Sequence, residues 1–189
     1  MRFLFLTAFS MFFLASPADA PVFSITPAES TVKFDVESSV AIVGTFDKWD
    51  ATLTFTSPEL STAVLDIKIQ AASVDTGSGM KNSKLKGKDF FDVEDSPLIT
   101  FHSTKVEQTG PNTVAFDGDF TIRGVTKQER LTFTVPRGGK GAGTIKGTMA
   151  FDRKQYGMNS GIPSIKIANR VEVTVNLTGK RRGPPVNLK

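Results

Sequence analysis

One histidine, one tyrosine and no cysteine leave this chain of 189 residues few routes to chemistry. His102 sits between Phe101 and Ser103 in an alternating run, so it points outward from a half-buried strand, and no partner that would orient it as a general base is evident in the sequence. With a single His and no Cys, the usual zinc and copper sites cannot be assembled. An all-oxygen site would have to come from Asp117, Asp119 and Asp152. These carboxylates alternate with apolar residues instead of sharing a ligand loop, and they read as solvated charges. No Gly-x-Ser-x-Gly elbow, phosphate loop or dinucleotide fingerprint is present. The Gly-rich stretch Gly138 to Gly143 opens onto a strand pattern and not onto a helix N-terminus, which argues against a phosphate cradle. Catalysis and metal chemistry have left little trace, so the apolar residues and their placement carry the functional reading.

Those residues follow a period of two. Eight runs alternate apolar with polar side chains, at residues 32–37, 51–56, 65–71, 99–104, 114–123, 131–135, 145–152 and 171–177. This is the signature of antiparallel strands with one buried face. Most links between runs are short and turn-like, as in Arg123-Gly124 and Gly110-Pro111-Asn112. The expected fold is all-β, an eight-stranded antiparallel barrel, with one or two short helical turns in the long connection around residues 76–94. Residues 154–167 read as a second long connection. A barrel is preferred to a sandwich on two grounds. Eleven of the 16 Phe lie after residue 20, against one Tyr and one Trp in the whole chain, and rings without a polar handle suit a dry interior. Closure also removes free sheet edges in a chain that has no disulfides to stiffen it.

Residues 1–20 read as an export signal. Arg2 precedes an apolar run of 12 from Phe3 to Leu14, and Ala18-Asp19-Ala20 forms an A-x-A cleavage site. An uncleaved membrane anchor is the rival reading, disfavoured by the shortness of the run. The expectation is therefore a periplasmic or secreted protein cut after Ala20, with a barrel domain at 21–178 and a mobile basic tail at 179–189. A net charge of +4 permits an anionic partner without demanding one, and export argues against nucleic acid.

Several segments are distinctive together. Ala72-Ser-Val-Asp-Thr-Gly77 is followed by Lys84-Leu-Lys-Gly-Lys-Asp-Phe-Phe-Asp-Val93 and Ser96-Pro-Leu-Ile-Thr-Phe101. Then come Phe116-Asp-Gly-Asp-Phe-Thr-Ile-Arg-Gly-Val-Thr-Lys127 and Phe151-Asp-Arg-Lys-Gln-Tyr-Gly-Met158, before a closing strand at Val171 to Leu177. In this order they resemble the bacterial YceI-like family over roughly Val22 to Thr178. The resemblance implies a secreted or periplasmic, lipocalin-like eight-stranded barrel whose characterised members hold a long isoprenoid or similar lipid chain in an elongated pore. One departure stands out. Many members carry a His-containing segment before a Gly-x-Phe, whereas here Glu37 to Phe46 keeps Gly44 and Phe46 but lacks the His.

The expected function is a non-catalytic binder of a long hydrophobic chain (a polyisoprenoid, quinone tail or fatty-acyl derivative) with no cofactor beyond such an isoprenoid or isoprenoid quinone ligand. The expected cavity wall comprises Phe34, Val36, Phe55, Ile67, Ile69, Phe101, Phe116, Phe120, Leu131, Phe133, Met149 and Val173. Gly118 and Gly147 lie on the same face and either leave room inside or mark bends needed for closure. Phe90 and Phe91 serve as a lid on the chain or as a plug of the core. Tyr156 and Met158 flank the mouth, where a phenol would meet a polar head group or make an ordinary loop contact. Lys81, Lys84, Lys86 and Lys88 would attract a lipid phosphate or an anionic membrane face, or are simply a solvated loop. The oligomeric state is open between monomer and homodimer. The alternative function is a filled barrel that acts as a structural or interaction module of the cell envelope, and an enzyme is the weakest reading.

Overall fold

Alternating side chains bury one face of each strand, and the computed structural model shows how the strands then join. It describes residues 20–39, 42–135, 142–160 and 165–187. The strands are β1 (Val22–Ile25), β2 (Thr31–Ser38), β3 (Ile42–Phe46), β4 (Trp49–Thr54), β5 (Val64–Gln70), β6 (Val74–Asp75), β7 (Leu98–Gly110), β8 (Thr113–Ile122), β9 (Val125–Thr134), β10 (Ala142–Asp152) and β11 (Ile167–Arg182). One helix, α1 (Gly79–Lys86), lies in the long connection where helical turns were expected.

Eleven strands, not eight, make the wall, yet they occupy eight positions around it. β1 and β2 lie end to end along β11. β3 and β4 flank a corner at Asp47 and Lys48, and β5 and β6 flank the single turn Ala71–Ser73. β3 pairs with β2 on one side and β6 on the other, while β4 pairs with β5. The ladder continues through β7, β8, β9, β10 and β11 back to β2, all antiparallel. The ring is therefore closed, and the corner is stitched by Asp47 N–H to Ser73 O at 3.3 Å and Gln70 N–H to Lys48 O at 2.9 Å. β1, β3 and β6 escaped the sequence reading because they are too short, or too interrupted by Gly and Ser, to show a period of two.

The alternation predicts burial well. β2 alternates strictly between exposed and buried from Thr31 to Glu37. The inward residues Leu65, Val114, Leu131, Phe133, Val175 and Leu177 are all at most 4% exposed and fill one half of the barrel. Phe116 and Phe133 meet edge to face there, with centroids 5.8 Å apart. Gly118 and Gly147 belong to this packed half and do not leave space. A Cβ on Gly147 would lie 2.6 Å from the Phe133 ring, so the ring already occupies that volume. A Cβ on Gly118 would lie 2.2 Å from His102 O, where β7 is pressed inward by a register shift between Ser103 and Lys105. Ser103, buried at this irregularity, accepts the Leu65 N–H on its Oγ at 2.8 Å and keeps that donor satisfied.

The stretch from Gly179 departs from the mobile tail expected of it. Gly179 to Arg182 are the end of β11 and pair with β1, and Asn187 donates its N–H to Pro58 O at 2.8 Å. The proposed signal before Ala20, Val40 and Ala41 of the segment lacking the His, the Gly-rich link at 136–141, Gly161 and Pro163 lie outside the described residues.

Two glycines carry a test of this packing. Gly118→Ala and Gly147→Ala should each lower stability by about 1–3 kcal/mol through overpacking. Gly79→Ala, with open space around its Cβ position at the start of α1, should instead gain about 0.5–1 kcal/mol. Urea unfolding midpoints of the three variants decide it.

Candidate functional site, an apolar cavity at one end of the barrel

The other half of the barrel is hollow. Its cavity has a volume of about 410 Å³ and an almost wholly apolar lining. The wall comes from Val32, Phe34 and Val36 of β2, Ile42 and Phe46 of β3, Ile69, Ile99, Phe120, Ile122 and Phe151, with Ile167, Val171 and Val173 of β11. Leu85, Phe90, Phe91, Met158 and Ile165 cap it. Met80, 86% exposed yet part of the lining, marks the mouth together with Lys81 and Lys84.

Of the residues expected in the wall, Phe34, Val36, Ile69, Phe90, Phe91, Phe120, Met158 and Val173 line this cavity. The others do not. Ile67, Phe101, Phe116, Leu131, Phe133 and Met149 are buried in the core outside this lining, as are Gly118 and Gly147. Phe55 is half-buried just beyond β4 and stacks on Phe23 at 5.4 Å. Tyr156 is fully buried but faces the rings of Phe120 and Phe151 at 5.4 and 5.2 Å. Alternation tells which face a residue occupies but not its height along the barrel, and height divides the hollow half from the full one. The same alternation marks Val32, Ile99, Ile122, Phe151 and Val171 as inward, so these were within reach of the sequence. Met80, Leu85, Arg153 and Ile165 come from the helix and loops, where no period marks them.

The cap is built from the long connection. Phe91 meets Phe34 edge-on with centroids 6.1 Å apart and Phe46 at 5.7 Å, while Phe34 and Phe46 are 5.6 Å apart. Gly44 permits this cluster, since a Cβ there would lie 2.6 Å from the Phe34 ring. Phe90 is also buried, with Lys84 Nζ 5.8 Å above its ring, and Lys84 pairs with Asp89 at 2.6 Å. α1 buries only Leu85, so it is held mainly by polar bonds at its start. Asn82 Oδ1 accepts from Thr76 N–H at 2.8 Å, and Asn82 Nδ2 donates to Asp75 Oδ1 at 3.0 Å. The Asn82 bond and the Gly77 N–H hold the Asp75 carboxyl below its ordinary range.

Arg123 latches the cap from the opposite wall. It sits in the β8–β9 hairpin turn with φ 54°, followed by Gly124 at φ 70°, the geometry of a tight primed turn. Its guanidinium donates to Lys88 O at 2.8 Å and to Gly157 O, tying both loops over the cavity to one side chain. Below the latch, β9 and β10 pair over only three residue pairs, from Lys146↔Thr134 to Thr148↔Thr132. The turn Arg153–Tyr156 follows β10, and Tyr156 donates its phenolic proton to Glu129 Oε1 of β9 at 2.8 Å. Arg153 is 5% exposed and gives its guanidinium protons to the carbonyls of Ala168 (3.0 Å), Met158 and Ser160 (3.1 Å). These bonds fix the loop ahead of β11.

His102 is on the outer face as expected, but it does have a partner, since Asp66 lies directly across the ladder with Oδ1 2.6 Å from Nδ1. Both groups are well exposed and lie on the side of the wall away from the cavity. Among the described residues no group of three or more His, Cys, Asp and Glu is placed to hold a metal ion, and no helix is long and apolar enough to cross a membrane.

The described residues form an antiparallel barrel with an apolar chamber in one half. Residues 23–179 match the YceI-like domain, and the chain belongs to that family. A UPF0312 protein of Pseudomonas syringae pv. tomato is 32% identical over 129 residues, covering 65% of this chain and 67% of the relative. Protein YceI of Escherichia coli is 33% identical over 108 residues, covering 54% of this chain and 56% of the relative. Among solved structures, Burkholderia cenocepacia BcnA superposes with a TM-score of 0.74 at 27% identity, covering 82% of this chain and 99% of its own. A polyisoprenoid binding domain from Saccharophagus degradans shares the fold with a TM-score of 0.61 at 15% identity, over 85% of this chain and 99% of its own.

The Tyr156 contact predicts a pH dependence. Burial, then the bond to Glu129, push the phenol well above its ordinary value of 10.0. The unfolded chain ionises near pH 10 while the folded one keeps its proton. The stabilisation is therefore complete below about pH 10 and is lost as pH rises beyond it. Tyr156→Phe should cost about 1 kcal/mol at pH 8. It should also show a smaller fall in urea midpoint between pH 8 and 10.5 than the unsubstituted protein.

Proposed function

We propose that this protein is a non-catalytic carrier that encloses a long hydrophobic chain in the hollow half of its barrel, for lipid transport, storage or sequestration outside the cytoplasm. The observation that carries this reading is a capped chamber of about 410 Å³ walled by aliphatic and aromatic side chains. Such a chamber binds by burial, at about 0.8 kcal/mol for each CH₂ removed from water, and needs no ion pair to hold its ligand. The relative described as polyisoprenoid-binding supports a lipid-like ligand, and the Arg2 to Ala20 segment supports export. The filled-barrel alternative is disfavoured by the hollow half.

Loading and release then run through the mouth. Met80 projects into solvent beside Lys81 and Lys84 of α1, with Lys86 and Lys88 close along the chain. An apolar tip among lysines suits transient contact with an anionic membrane, where each lysine near the surface contributes about 1 kcal/mol.

Two measurements test the carrier. A fluorescent fatty-acyl probe should gain intensity and blue-shift on binding, and Val173→Phe, which fills cavity volume, should weaken it at least about tenfold without loss of fold. No probe uptake by the delipidated protein, or equal uptake by the filled variant, contradicts the reading. Arg123→Ala should leave equilibrium binding within about threefold but speed probe release at least about tenfold, since it frees both loops of the cap at once. Stopped-flow displacement reads this, and unchanged release removes the latch.

A further inference from the structure

We infer that the chamber sets a ceiling of about 15 carbons on the chain it encloses, making this barrel a container for a single chain of acyl or three-isoprene length, its polar head left outside at the mouth. The inference rests on the carrier reading and specifies its ligand. A packed methylene fills about 27 Å³ at interior density, so the volume of about 410 Å³ holds roughly 15 carbons.

The floor that imposes this ceiling can be traced through the ladder. Val32 lines the cavity and pairs with Val175, Val175 pairs with Gly147, and Gly147 pairs with Phe133. These residues share one rung. Because Gly147 has no side chain, the Phe133 ring lies over it along that rung. Phe116 backs the ring edge-on, and Leu131 and Val114 are buried around it. Val32 lines the cavity but Val175, Gly147, Phe133 and Phe116 do not, so the chamber ends at this rung. The exposed lining is almost wholly apolar, and Arg153, the buried charged residue in it, already gives its guanidinium protons to the carbonyls of Ala168, Met158 and Ser160, so a polar head is poorly solvated inside. Such a head stays at the open end, where Lys81 and Lys84 stand.

The test is a calorimetric series of linear carboxylates from 8 to 24 carbons, with linear isoprenoid carboxylates of 10, 15 and 20 carbons, against the delipidated full chain. Affinity should rise about fourfold per methylene up to about 15 carbons and then stop rising. The two arms tell which kind of chain is preferred within that length. Phe133→Ala opens room for about four carbons more and should move the break upward by that amount. Phe133→Leu, which is milder, should move it by about one and serves if the alanine variant fails to fold. A continued rise beyond about 20 carbons overturns the ceiling, and a break that stays fixed in a folded Phe133 variant overturns this floor. Absence of binding for every chain overturns the carrier reading itself, and the ceiling with it.

Discussion

A barrel wall satisfies its backbone N–H and C=O groups only if the ring shuts, and here it shuts at a corner two residues long, Asp47 and Lys48. On one side of that corner the chain pairs with β2 and β6, and on the other with β5. The rest depends on this turn. It lets β3 and β4 behave as one bent strand and brings the long connection after β6 over the end of the barrel. For a chain with no cysteine, closure takes the place that covalent bridges would otherwise hold.

Closure alone would give a filled core. The two halves differ because of which residues stand at each height. In the full half Phe133 uses the volume that Gly147 vacates, Phe116 locks it edge-on, and the inward bulge of β7 closes on Gly118. In the hollow half the wall is mostly aliphatic, and the large rings of Phe34, Phe46 and Phe91 gather under the cap. One half supplies stability and the other supplies capacity. In the cap, Phe90 and Phe91 are packed into the core, whereas α1 buries only Leu85 and is held by polar contacts such as Asn82 with Asp75, and Arg123 bonds two carbonyls of the flanking loops. A helix held this way opens at lower free energy than a packed wall.

Much of this was legible in the sequence. All eight alternating runs are strands, the inward face was assigned correctly for β2, β5, β8 and β11, and the helical turn fell inside the expected connection. What could not be read was height. Phe120 and Phe116 have identical signatures on one strand, yet Phe120 lines the chamber and Phe116 lies below its floor. Gly118 and Gly147 looked like room because a missing side chain shows in sequence, while the neighbour that fills the gap does not. The Asp66 partner of His102 was invisible for the same reason, since the two meet only through strand register. Residues of the cap, such as Leu85 and Met158, act by tertiary position alone.

The claim at the centre of this account is that the hollow half exists to hold an apolar chain. Mass spectrometry under native conditions, on protein isolated from its own cellular compartment without detergent, tests that most directly. The account predicts a population heavier than the polypeptide by one ligand, released intact into organic solvent as a single-chain lipid. A polypeptide mass with no adduct, from a barrel that also refuses such chains when they are offered, would contradict it.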